Sequence, residues 1–210
     1  MMMEQSNNTK SISEVINHLS ERDSTLAKIV QTVDMPVVKN MADGFSILVK
    51  TIVSQQLSGK AANAIFKRFM EFHGLSAGFQ AEETLLATTR SIRDCGISNS
   101  KAKFIQELRE KVIQCPYFFH SLVHLNDEEL ETNLLKIKGV GVWTANILMI
   151  SFYGRIDIFP KNDATLNNVL HKVYGVGEDH AKYSSIIDNW RPYRSIAAQI
   201  LWNAQDNRLV

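Results

Sequence analysis

An all-α protein is predicted, and three observations predict it. Apolar positions recur at helical spacing along most of the chain, and alternating strand-like runs are nearly absent. Glycine and proline are sparse, 10 and 4 in 210 residues, and they mostly fall between the periodic segments rather than inside them. Ser, Asp or Asn stands just ahead of several of those segments, where a side-chain oxygen can cap the first free amides of a helix.

Residues 1–10 are polar and read as a disordered start. Ser11 and Glu14 have the spacing of a capping box and open a helix to about His18. A second helix runs from about Ser24 to Val33 and stops before Pro36. Asp43 caps a third through Val53, with Phe45, Leu48, Val49 and Ile52 on one face. Ser54 to Ser58 form a break. Ser58 then caps a helix through Phe72, closed by Gly74. Short helices are expected near 82–88 and 90–94, ended by Gly96. Ser98 to Gln114 reads as one helix, stopped by Pro116. Asn126 and Glu129 make a second capping box for a helix to Ile137. Lys138-Gly139-Val140-Gly141 interrupts it, and a very apolar helix follows from Val142 to Phe152. The last helices are expected at 164–174, 178–189 and 192–205.

Composition bounds the function. Apolar residues make up 45% and charged residues 21%, ordinary for a globular protein large enough for one domain or two subdomains with a shared core. No apolar run is long enough to span a bilayer, and the polar start has no signal-peptide core, so a cytosolic protein without a membrane partner is expected. Cys95 and Cys115 form no Cys-x-x-Cys pair. Two thiols cannot by themselves hold an iron–sulfur cluster or a structural zinc, so both read as buried free thiols. The six histidines are scattered without metal spacing. A net charge of +1 does not announce a nucleic-acid binder. Any grip on DNA must rest on local basic clusters, backbone amides or a helix dipole.

The stretch from Leu134 to Ala145, Leu-Leu-Lys-Ile-Lys-Gly-Val-Gly-Val-Trp-Thr-Ala, is the most informative. Gly139 and Gly141 join two apolar-faced helices. Glycine permits the positive φ of a tight hairpin and lets backbone approach a ligand. Gly141 begins the second helix, whose first amides lack intrahelical partners and can face a phosphate with help from the helix dipole. Lys136 and Lys138 add positive charge. Such a contact reads backbone and not base sequence. Glycine-x-glycine alone also describes a plain αα-hairpin.

Downstream, two carboxylates are candidates for stabilising a positively charged transition state. Asp157, beside Arg155, reads as an exposed loop residue. Asp163 opens the helix at 164–174 and has the position of an N-cap. The cap and a catalytic role are compatible, because the helix N-terminus fixes the carboxylate in direction and keeps it ionised.

These strings together resemble the helix-hairpin-helix (HhH-GPD) DNA glycosylase superfamily, and most closely its 3-methyladenine DNA glycosylase II (AlkA/Mag-like) branch. The resemblance runs from about residue 40 to 205. It is carried by the hairpin and Phe159-Pro160-Lys161-Asn162-Asp163. It is carried also by Ile52-Val53-Ser54-Gln55-Gln56-Leu57-Ser58, by Ile92 to Ala102, and by Trp190-Arg191-Pro192-Tyr193-Arg194-Ser195 through Trp202.

The resemblance implies a minimal helical glycosylase, spanning 11–210. One subdomain is expected at about 43–153 and the other from about 11–42 plus 154–210, with the active cleft between them. It implies Asp163 as the catalytic carboxylate and Trp143 and Trp202 as base-pocket aromatics, although both tryptophans are equally read as core. Gln56, or its neighbour Leu57, is implied as the wedge that fills the gap left by a flipped base, with Gln55 in the same DNA-contacting loop. The hairpin contacts fall to Lys136, Lys138, Gly139, Val140, Gly141 and Thr144. In relatives the hairpin carbonyls can hold a monovalent cation, here those of Leu135, Ile137 and Val140, and no other cofactor is implied. Bifunctional lyases of the superfamily carry lysine where this chain has Trp143, which implies a monofunctional enzyme. Ile147 and Ala164 depart from pocket tyrosines of some relatives.

The expected partner is damaged double-stranded DNA and the expected state a monomer, in the cytoplasm of a bacterium or the nucleus of a eukaryote. The implied reaction is removal of alkylated purines of the 3-methyladenine or 7-methylguanine type. Two other readings stay open: a non-catalytic module that only grips DNA, and a glycosylase for uracil, etheno or oxidised bases.

Overall fold

The computed structural model describes residues 11–33, 43–177 and 179–210. The expected disorder of residues 1–10 lies outside the described residues. Among the described residues the chain is helical with no strand. It divides into two compact units, a terminal one drawn from Met1–Val37 and Ile156–Val210 and a central one drawn from Val38–Arg155.

The terminal unit contains α1 (Ile12–Arg22), α2 (Ser24–Val30), α9 (Ala164–Tyr174), α10 (His180–Asn189) and α11 (Arg194–Asp206). Ser11 and Glu14 form the capping box of α1. This helix runs on to Arg22, past the expected end at His18, because the next cap in the sequence is Asp23. Asp23 Oδ1 accepts the amides of Thr25 and Leu26, both at 2.9 Å, and so starts α2. Its Oδ2 accepts Trp190 Nε1 at 2.8 Å and the Tyr174 hydroxyl at 2.9 Å. One carboxylate thus ties the start of the unit to its end. α2 and α9 both pack on α11, and Leu19, Leu26, Leu166, Leu170, Trp190 and Leu201 are among the fully enclosed side chains. α2 ends at Val30, three residues short of the expected Val33.

The central unit contains α3 (Gly44–Ser54), α4 (Gly59–His73), α5 (Thr89–Asp94), α6 (Asn99–Gln114), α7 (Asp127–Leu134) and α8 (Val142–Ser151). Asp43, Ser58, Ser98 and Asn126 cap α3, α4, α6 and α7, and Gly74 closes α4 in the left-handed conformation. α3 is buried on nearly every side and packs against α4, α6 and α8. An apolar face on every side marks a central helix rather than an amphipathic one.

Two expectations fail here. The helix expected at 82–88 shrinks to a 3-10 turn at Glu82–Thr84, because Leu85 and Leu86 point to solvent and only the small side chains of Ala81, Thr84 and Ala87 are buried to hold it. The helix expected to reach Ile137 ends at Leu134, and the next residues form the hairpin turn. A further 3-10 turn at His120–Leu122 carried no periodic signal. Cys95 is buried as expected, whereas Cys115 is exposed, because it ends α6 on the surface.

Candidate DNA-contacting and catalytic residues

The hairpin follows α7. The amide of Ile137 donates to the Leu134 carbonyl and that of Val140 to the Ile137 carbonyl, both at 3.0 Å. Ile137 and Val140 are buried and anchor the turn, while Lys136, Lys138 and Gly141 stay exposed. The two glycines do different work. Gly139 has φ +83°, and a Cβ there would collide with the ring of Phe104. Gly141 has φ −98° and open space where a Cβ would sit. Neither backbone strain nor internal packing requires glycine at 141. Gly141 also gives α8 no side-chain cap, which leaves the first turn of α8 to present its amides outward.

The expected cations are partly engaged. Lys138 Nζ pairs with Glu107 at 2.8 Å, and Lys136 Nζ donates to Asn133 Oδ1 at 3.1 Å. Both remain exposed on the hairpin. Thr144 is buried one turn into α8, where its hydroxyl meets the side chain of Gln55.

The loop after α3 holds Gln55, Gln56 and Leu57. Gln55 is half-buried. Its Nε2 donates to the Gly139 carbonyl at 2.8 Å and to Thr144 Oγ1 at 2.9 Å. The structure therefore gives Gln55 an internal role. Gln56 is exposed with φ +56°, a left-handed conformation that glutamine seldom adopts, and Leu57 is exposed beside it. Two exposed side chains at the tip of a tethered loop suit a wedge. Lys101 was missed as a site residue. Its Nζ donates to the carbonyls of Val53 at 2.9 Å and Gln55 at 2.7 Å, and burial lowers its pKa.

In the terminal unit, Asp163 is buried and N-caps α9, as its position predicted. Its Oδ1 accepts Leu166 N–H at 2.8 Å and Trp202 Nε1 at 3.2 Å. The carboxylate and one of the aromatics expected in the pocket are thus brought together. Trp202 and Trp143 are each half-buried, neither enclosed as core nor free of packing. Tyr183 lies near the same carboxylate. Its hydroxyl is 2.6 Å from Asn167 Oδ1 and 3.1 Å from the Lys161 carbonyl. Its pKa is pushed up to about 12, first by burial and then by the charge of Asp163. Asp157 is not the exposed loop residue expected. It is three-quarters buried and salt-bridged to Arg191 at 3.1 Å and Arg194 at 2.8 Å. Arg194 opens α11 and draws Asp157 inward. Ile147 is half-buried on α8 and Ala164 exposed at the head of α9.

Helices, a glycine hairpin opening an uncapped helix, and a buried capping carboxylate define the helix-hairpin-helix class. The chain belongs to the HhH-GPD superfamily of base excision DNA repair proteins, whose family model matches residues 49–192, and within it to the AlkA/Mag-like branch. It is 28% identical over 191 residues to the alkylbase DNA glycosidase-like protein mag2 of Schizosaccharomyces pombe, covering 88% of this chain and 90% of that one. It is 30% identical over 194 residues to DNA-3-methyladenine glycosylase 1 of the same organism, covering 89% and 83%. Among solved structures, the S. pombe 3-methyladenine DNA glycosylase Mag1 in complex with abasic DNA aligns with a TM-score of 0.76 at 27% identity, covering 92% and 97%.

Proposed function

We propose that this chain is a monofunctional DNA glycosylase that hydrolyses the N-glycosidic bond of alkylated purines in double-stranded DNA. One observation carries the proposal: a buried carboxylate, Asp163, fixed at the head of α9 by Leu166 N–H and held against Trp202. The relatives named for 3-methyladenine support the substrate class.

The chemistry follows from those residues. The damaged nucleotide leaves the stack, which costs a few kcal/mol at roughly the level of one lost stacking step, and Gln56 or Leu57 takes its place. An aromatic face such as Trp202 or Trp143 attracts a cationic base. The bond from C1′ to the base nitrogen breaks with its electrons going to the base, so a cationic 3-methyladenine leaves as a neutral purine. Asp163 stabilises the sugar cation electrostatically. Water then bonds to C1′ and passes its proton to solvent. A base that is already positively charged needs little general-acid help, which suits one carboxylate. Trp143 offers no amine to attack the sugar, so no Schiff base forms.

DNA is held through the first-turn amides of α8, with Lys136 and Lys138 beside them. The carbonyls of Leu135, Ile137 and Val140 are of the right kind for a monovalent cation. The Ile137 oxygen keeps one lone pair after accepting the Val140 amide. No step depends on that ion.

Asp163→Asn tests the reading. Asparagine is as good an N-cap as aspartate, so α9 and the fold should survive. Excision of 3-methyladenine from methylated duplex should fall at least about 100-fold, the scale of losing a major electrostatic stabiliser. Binding to an abasic-site duplex should persist. Excision at the wild-type rate by the variant would remove Asp163 from the mechanism. A wild-type panel over alkylated, etheno, uracil and oxidised lesions checks the substrate class, and turnover confined to a neutral base would overturn it.

A further inference from the structure

The loop that bears the wedge and the hairpin that grips phosphate are separate in sequence, yet one helix touches both. On α6, Lys101, Phe104 and Glu107 follow at three-residue steps and so share a face. Lys101 reaches the loop, through the carbonyls of Val53 and Gln55. The Phe104 ring lies against Gly139, close enough that a Cβ on that glycine would strike it. Glu107 holds Lys138. From the other side, Gln55 spends both amide protons of its side chain on the Gly139 carbonyl and the Thr144 hydroxyl.

We infer that Lys101 is a positioning residue, which through Gln55 locks the wedge loop to the phosphate-gripping hairpin so that the two engage DNA at a fixed spacing. Its ammonium sits where the last carbonyls of α3 point, the end of a helix that favours a cation. Without it those carbonyls lose their donor, and the half-buried loop loses the strut that aims Gln55. Burial lowers the Lys101 pKa, in keeping with an amine held among carbonyls rather than in water.

The inference rests on the glycosylase reading only for its activity arm. The full chain is compared as wild type, Lys101→Met, Gln55→Leu and the double variant. Without DNA, amide hydrogen exchange is followed at 54–57 and at 138–141. The expected result is faster exchange at both sites in Lys101→Met, and no further increase at 138–141 when it is added to Gln55→Leu, because the two act along one link. Unchanged hairpin exchange in Lys101→Met, or additive effects in the double variant, would overturn the inference. Should Lys101→Met fail to fold, Gln55→Leu alone is decisive, since it cuts the link without removing a charge. Hairpin exchange at the wild-type rate in that variant sinks the idea.

With DNA, Lys101→Met should lower kcat more than it lowers affinity for undamaged duplex. Base flipping, read by 2-aminopurine fluorescence beside the lesion, and kcat for excision should fall about 10- to 100-fold, as for a misplacement near 1 Å. Loss of affinity in step with kcat would mark a general structural defect and overturn the positioning role. If the wild type neither flips nor excises, the glycosylase reading fails and the exchange arm still decides this one.

Discussion

Asp163 meets Leu166 N–H and Trp202 Nε1 through a single oxygen, and its charge is felt by Tyr183. That coupling gives a measurable handle on a carboxylate that is otherwise silent. The Tyr183 hydroxyl ionises at about 12 in the folded protein against an ordinary 10.0. The folded state therefore holds its proton more tightly than the unfolded chain between those two values. The consequence is that stability is intact below pH 10 and declines as pH rises toward 12. Half-buried Tyr174, raised by desolvation and then by Asp23, adds in the same direction. Alkaline denaturation midpoints should show the decline. In Asp163→Asn the tyrosinate absorbance of Tyr183 should appear at lower pH than in wild type, since one opposing charge is gone. An unmoved titration would mean the two groups are not coupled.

At the scale of elements, the hairpin glycines make opposite predictions. Gly139→Ala places a side chain at positive φ and into Phe104, and should cost about 2–4 kcal/mol from strain and overpacking combined. Gly141→Ala meets no atom within 4 Å and has ordinary φ, so the denaturation midpoint should barely move while DNA affinity drops. Equal stability of the two variants would refute this division of labour.

Helix starts were legible because caps are local. Ser11, Asp43, Ser58, Asn126 and Asp163 all accept amides where the sequence placed them. Ends were less so. α1 overran His18 to the cap at Asp23, and the 82–88 segment collapsed because its leucines are not buried, which a periodic pattern does not report. Gln55 and Lys101 illustrate what was not legible. Their hydrogen bonds join residues 46 to 89 positions apart, and no local rule pairs them. Asp157 was misjudged for the same reason, because its arginine partners lie 34 and 37 residues away.

For the molecule as a whole, the charge balance of +1 limits how DNA is held. With Lys138 already shared with Glu107, few cations remain on the hairpin to displace counterions. The logarithm of the binding constant should therefore fall with the logarithm of salt at a slope of only about −2 to −4, for roughly two to four phosphates neutralised. A slope steeper than about −7 would mean a basic surface that the hairpin does not account for. A shallow slope would belong to amides and a helix dipole, which bring no full positive charge to displace the cations condensed on DNA.

Asp23 joins its α-helix cap to Tyr174 and Trp190, residues that lie 151 and 167 positions further along. On a ribosome this sets an order of events. The central unit is one continuous stretch and is fully synthesised once residue 155 has been added. The first two helices must wait, their apolar faces bare, until α11 arrives to cover them. The hairpin is thus complete before the half of the protein that carries Asp163. A chain halted partway through synthesis would then present the hairpin without the Asp163 carboxylate.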